Sequence, residues 1–194
     1  MKKALYILIL IGVTTSAMAQ SSFMSWQYSM GFGAGDQHDY IGKASFRGIT
    51  YNYSKLVNDG VGVGLEIGWN AFYEKKDFDT YTRGNFDLSG KQYRYSNHVP
   101  LLFTVGYYAH PEENIIPFIN VGIGTMYSER RVTMGGYDIY QDAWPFTVKP
   151  EVGVILNSNG HALALSGKYY YGLKTGDLPA HGYFAINIGF VFIN

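Results

Sequence analysis

The sequence contains no cysteine, which excludes a disulfide framework, thiolate chemistry and a lipid anchor on a cleavage-site cysteine. Charge is also scarce: acidic and basic residues make up 15% of the chain, against ~25% in an ordinary soluble protein. The signs balance at 15 each, so no positive field awaits nucleic acid. Past the first twenty residues no apolar run is long enough to cross a bilayer as a helix. A helical membrane protein is thereby excluded. A β-barrel is not, because alternation hides its apolar face from an averaged hydropathy, here −0.07. No set of His, Asp and Glu has metal-ligand spacing, and nothing in the sequence implies a cofactor.

What is abundant are glycines, 24 of them, and tyrosines, 18, a composition suited to a barrel wall. Met1 to Ala19 reads as a signal peptide. Lys2 and Lys3 form the charged start, Ala4 to Val13 the apolar stretch, and Ala17-Met18-Ala19 the small-x-small cleavage pattern. Cleavage after Ala19 leaves residues 20–194, a length for one domain.

Alternation of period two then marks eight strands. They are Trp26–Gly35, Lys43–Leu56, Val61–Tyr73, Gln92–Tyr108, Ile115–Arg130, Ala143–Leu156, His161–Gly172 and Tyr183–Asn194. In the last, Phe184, Ile186, Ile188, Phe190 and Phe192 alternate with Ala185, Asn187 and Gly189. The connections alternate too. Val57–Gly60, His110–Asn114 and Asn157–Gly160 are tight turns. Asp36–Gly42, Glu74–Lys91, Arg131–Asp142 and Leu173–Gly182 read as longer loops. Short turns on one side and long loops on the other predict an all-β, eight-stranded antiparallel transmembrane barrel, with short periplasmic turns and longer extracellular loops.

A soluble lipocalin-like barrel also alternates, with its apolar face inward. Its polar face would meet water and carry charge. Here that face is mostly Gly, Ser, Ala, Asn and Thr, which fits the narrow interior of eight strands. The large apolar residues then face lipid. Tyr and Trp near the strand ends, among them Trp26, Trp69, Tyr73, Tyr95 and Trp144, read as interfacial girdles.

The phrase His98-Val99-Pro100-Leu101-Leu102, followed by Pro117-Phe118-Ile119-Asn120-Val121-Gly122-Ile123-Gly124, resembles the "IPL … PYVGAGVG" wording of the small outer-membrane β-barrel proteins. That broad group includes the OmpA transmembrane domain and OmpX. The resemblance implies outer-membrane location in a Gram-negative-type envelope and insertion by the barrel assembly machinery. The aromatic that this machinery reads in the family stands two residues early here, at Phe192.

Glu66, Arg94, Lys149, Glu151 and Lys168 fall on the inward face and are expected to pair there, because an isolated charge would be costly. A gated ion path is the alternative use of the same residues. Arg130 and Arg131 end the fifth strand on the outer side, where lipopolysaccharide phosphates would meet them. Ser96 and His98 are the one adjacent pair that a lipid A-modifying barrel enzyme would require, but they share the inward face while the lipid lies outside. Gly31, Gly33 and Gly35, like Gly62 and Gly64, lie on strands with no helix after them, which excludes a phosphate loop. The leading expectation is a non-enzymatic structural or surface-interaction barrel, with an extracellular ligand for its loops. A lipid A-modifying enzyme, a narrow pore and a soluble lipocalin-like binder are the alternatives.

Overall fold

The computed structural model describes residues 21–83, 86–158 and 161–194. The signal-peptide assignment to Met1–Ala19 lies outside the described residues. Among the described residues there are nine strands: β1 (Ser22–Ala34), β2 (Gly48–Leu56), β3 (Val61–Arg83), β4 (Phe86–Tyr108), β5 (Ile115–Met134), β6 (Tyr137–Ala143), β7 (Phe146–Ser158), β8 (His161–Gly172) and β9 (His181–Ile193). Among the described residues one short helix, α1 (Asp36–Tyr40), sits between β1 and β2. It follows Gly35 directly, where the sequence reading expects no helix, but its five residues, with Asp36 and Asp39 in the first turn, still offer no phosphate site.

The pairing is antiparallel throughout and closes into a ring of eight staves, β1-β2-β3-β4-β5-β7-β8-β9. The seam runs between β9 and β1, from Phe23 opposite Ile193 to Ala34 opposite Gly182. The ninth strand is no extra stave. β7 pairs with Ile115–Thr125 of β5 and β6 with Ser128–Met134 of the same strand. β6 and β7 are therefore one stave interrupted at Trp144-Pro145, where proline has no N–H to give the ladder.

Alternation sets the two faces as the sequence predicts. Leu65, Ile119, Val152 and Phe190 point outward and are 61%, 61%, 62% and 66% exposed, while Ser29, Thr50, Thr147 and Asn187 point inward and are wholly buried. An apolar belt of this extent needs hydrocarbon around it, and a closed ring leaves no unpaired edge in that medium. Small inward residues allow the staves to approach. At Gly189 and Gly64 an added Cβ would collide with the carbonyls of Trp26 and Tyr53 on neighbouring strands.

Three connections differ from expectation. Glu74–Lys91 is not a loop: β3 and β4 continue as a hairpin to Arg83 and Phe86, with an irregularity between Lys76 and Asp79. Arg131–Asp142 is also a hairpin, turning at Gly135 and Gly136, whose φ of +55° and +88° suit a two-residue turn. Charge in a sequence reads as loop, but a sheet standing in water carries charge on its strands. The second strand begins at Gly48 rather than Lys43, and Asp36–Gly42 folds inward, with Gln37 and Ile41 wholly buried.

Candidate functional site

The barrel interior is filled at three heights. At the periplasmic end, Phe23, Tyr108 and Phe118 stack at 4.8 and 5.4 Å between ring centroids, packed with Leu56, Ile116 and Ile155. Just above, a cavity of about 30 Å³ lined by Ser25, Gln27, Ser54, Thr104 and Asn120 separates this layer from the charges.

The middle layer ties opposite walls together. Lys149 Nζ lies 2.9 Å from Glu66 Oε2 and 2.6 Å from Glu151 Oε2. Lys168 Nζ lies 2.9 Å from Glu66 Oε2 and 3.6 Å from Glu151 Oε1. Tyr170 Oη donates to Glu66 Oε1 at 2.7 Å. Glu66 comes from β3, on the far side of the ring from β7 and β8. Two cations and two carboxylates thus neutralise each other with no exposed member, which is how a buried charge becomes tolerable. Of the five interior charges expected from sequence, the structure brings these four together. Arg94 does not join them.

Arg94 belongs to the third layer, at the extracellular mouth. Its guanidinium meets Asp79 Oδ2 at 2.9 Å, Gln92 Oε1 at 2.9 Å and the Tyr40 carbonyl at 3.2 Å. Arg130 turns inward, is 6% exposed, and pairs with Asp36 at 2.6 Å. The Tyr40 ring is contacted by both guanidiniums, at 5.5 Å from Arg94 and 4.7 Å from Arg130. Gln37 Oε1 accepts from Ser96 and Arg130, Tyr40 Oη donates to the Arg131 carbonyl, and the Gly42 N–H donates to Glu74. Two arginines on adjacent staves therefore clamp α1 onto the lumen. Beneath it Ile41 packs into a cluster with Phe72, Leu102, Met126, Tyr170 and Tyr183.

Between clamp and charge layer runs a chain of polar side chains. Ser96 Oγ meets His98 Nε2 at 3.0 Å, His98 Nδ1 meets Ser128 Oγ at 3.1 Å, Ser128 Oγ meets His181 Nε2 at 2.9 Å, and His181 Nδ1 meets the Pro179 carbonyl at 2.9 Å. With the Ser96–Gln37 bond, five contacts end on an acceptor at each side, whereas two serines and two neutral imidazoles supply four protons. Ser96 and His98 are both wholly buried, and the second nitrogen of His98 faces Ser128 rather than the carboxylate of a catalytic triad. Among the described residues no group of three His, Asp or Glu could hold a metal.

Arg131 points the other way from Arg130. It lies over Tyr95 at 4.4 Å and near Tyr140 at 5.9 Å. The register places Tyr73, Tyr95, Arg131 and Tyr140 in one row across β3, β4, β5 and β6, and Arg47 stands 6.0 Å over Tyr73. The sequence reading named the two arginines but missed Asp36, Gln37, Tyr40, Asp79 and Ser128, and it placed His181 in the Leu173–Gly182 loop, whereas His181 opens β9 and is buried. No periodicity marks those in the loop. For Ser128 the inward alternation of β5 was a usable signal.

A closed eight-stave barrel with an apolar belt and a filled lumen is the fold of the small outer-membrane barrel proteins. Solved structures of that fold align over almost the whole chain. OprG from Pseudomonas aeruginosa matches with a TM-score of 0.56 at 13% identity, over 91% of this chain and 96% of that one. Neisserial surface protein A matches with a TM-score of 0.52 at 11% identity, over 89% and 96%. Ail of Yersinia pestis, in complex with the heparin analogue sucrose octasulfate, matches with a TM-score of 0.51 at 12% identity, over 90% and 100%. At such identities the likeness is one of fold. No protein-family model matches the sequence, and no curated protein matches it.

Proposed function

We propose that this chain is a non-enzymatic barrel of a Gram-negative-type outer membrane, exported by a signal peptide cleaved after Ala19, which serves as a closed scaffold for an extracellular recognition surface. The observation that carries this reading is the clamp of α1 by Arg94 and Arg130 above a fully paired charge layer. A lumen filled at three heights has no path for a hydrated ion. What the barrel presents instead is a four-stranded sheet, β3 to β6, rising above the membrane with Phe78, Tyr137 and Tyr140 exposed. Exposed aromatics on a rigid support are the residues from which binding hot spots are built.

On this reading the outward row with Arg131 at its centre would stand above the apolar belt, within reach of lipopolysaccharide phosphates. Arg131 is the residue of the Arg130–Arg131 pair that would meet them; Arg130 is engaged with Asp36. Lipid and lipopolysaccharide are thus the proposed surroundings, and the barrel assembly machinery the proposed partner during insertion.

Planar-bilayer recording with purified protein tests the closed scaffold: no discrete conductance is expected, and steady unitary steps would overturn it. Lipid A from a deletion strain is expected to match the parent in mass. A missing or added acyl chain in the parent would make the enzyme reading correct instead.

A further inference from the structure

The outer wall carries a large side chain at almost every lipid-facing position of β8, with one interruption. Leu163, Leu165, Tyr169 and Tyr171 face outward, and Gly167 stands among them. A Cβ built at Gly167 meets no atom within 4 Å, so the outward position is open. Gly167 lies between Val152 of β7 and Ile186 of β9. One step toward the extracellular side, the β7–β8 pairing lapses at Pro150, which has no N–H to contribute. The result is an open groove of about 560 Å³ lined by Phe32, Pro150, Val152, Tyr169, Phe184 and Ile186, with Gly167 as its floor. Lys168 and Glu151 border it with their backbone, since their side chains turn into the lumen and are buried there.

The groove is continuous with the belt that faces hydrocarbon, and this inference rests on that reading. Water is absent at this depth, and an unfilled notch forfeits dispersion contacts on one side. No charged or amide side chain points into it, so it suits methylenes and not a headgroup. We infer that the Gly167 groove holds one acyl chain of a membrane lipid as a fixed ligand, by the close packing that drives association inside bilayers.

Native mass spectrometry of the purified full-length protein, titrated in detergent with palmitoyl-oleoyl-phosphatidylethanolamine, tests this. One lipid is expected to survive at collision energies that strip all others. Gly167→Phe fills the groove, and the fraction of ions retaining that lipid is expected to fall about tenfold. Val152→Trp, which fills the groove from β7, is expected to do the same, and both variants are to be judged only as folded, heat-shifted bands. Absence of a retained lipid in the wild type, or retention unchanged in both variants, would overturn the inference. So would a dimer that either variant dissociates, because a second copy would then be the occupant. A protein that stays soluble without detergent would instead refute the membrane reading beneath it.

Discussion

Lys149 is the residue on which the interior depends most. It bridges Glu66 and Glu151 from within the lumen, so Lys149→Met leaves two carboxylates facing Lys168 alone. Removing one partner of a buried pair costs about 3–5 kcal/mol, and urea unfolding in lipid vesicles followed by tryptophan fluorescence is expected to show a loss of that size. Replacing all four charges with apolar residues of similar volume is expected to cost far less, because no charge is then left unpaired. The two adjacent arginines are separable in the same way. Arg130→Ala removes the ion pair with Asp36 and the nearer of the two cation contacts on the Tyr40 ring, so protease cleavage near Tyr40 is expected to accelerate. Arg131→Ala leaves that clamp in place and is expected to lower lipopolysaccharide co-purification. An equal effect of the two variants on both measurements would contradict their opposite orientation.

Asp79 adds a pH dependence to the clamp. It lies in the part of β3 that rises above the membrane. Partial burial pushes its carboxyl up, but the Thr80 N–H, Arg94 and Lys76 outweigh this and hold it below the usual carboxylate range. A carboxyl depressed in the folded state stabilises above its unfolded value of about 3.9 and loses that contribution as pH falls through the folded value. Protease protection of α1 is therefore expected to be flat from neutral pH down to about 4 and to weaken only below it. Asp79→Asn is expected to remove that acid limb.

At the scale of elements, the wall was legible because lipid enforces alternation: a one-residue slip would turn every apolar side chain of a strand into the lumen. The four-residue turn Val57–Gly60 and the strand Val61–Tyr73 were readable for that reason. Above the membrane the constraint relaxes. Tyr93 and Tyr95 still alternate with Gln92 and Arg94, and strand is legible there, but in Glu74–Lys91 and Arg131–Asp142 polar residues occupy both faces and the sequence reads as loop. α1 was illegible for a different reason. Five residues carry too little periodicity, and its buried member is a polar glutamine that needs partners from β4 and β5, residues 59 and 93 positions away. The interior charges were visible from their inward positions, whereas the separation of Arg94 from the other four depends on height in the barrel, which alternation does not encode. The β5–β6 turn makes its own prediction. Gly135 and Gly136 both hold positive φ, so replacing both with alanine is expected to cost roughly 1–2 kcal/mol per residue locally and to speed hydrogen exchange in Tyr137–Ala143 while leaving β7 unchanged.

For the whole molecule, the fold requires that an unboiled sample migrate differently from a boiled one on a gel, since a closed ring with a filled interior resists detergent. An unshifted band from a soluble periplasmic fraction would mean that the apolar face points inward after all. The seam between β1 and β9 has its own consequence. Every other stave pairs with a close sequence neighbour, but here Phe23 meets Ile193 and Ser22 exchanges backbone bonds with Asn194. Loop-closure entropy makes such a distant junction the last to form. Until it does, two open edges stand against hydrocarbon that cannot solvate them. A chain stalled or shortened before β9 therefore has no partially inserted resting state, so incomplete copies remain outside the bilayer, where envelope proteases can destroy them.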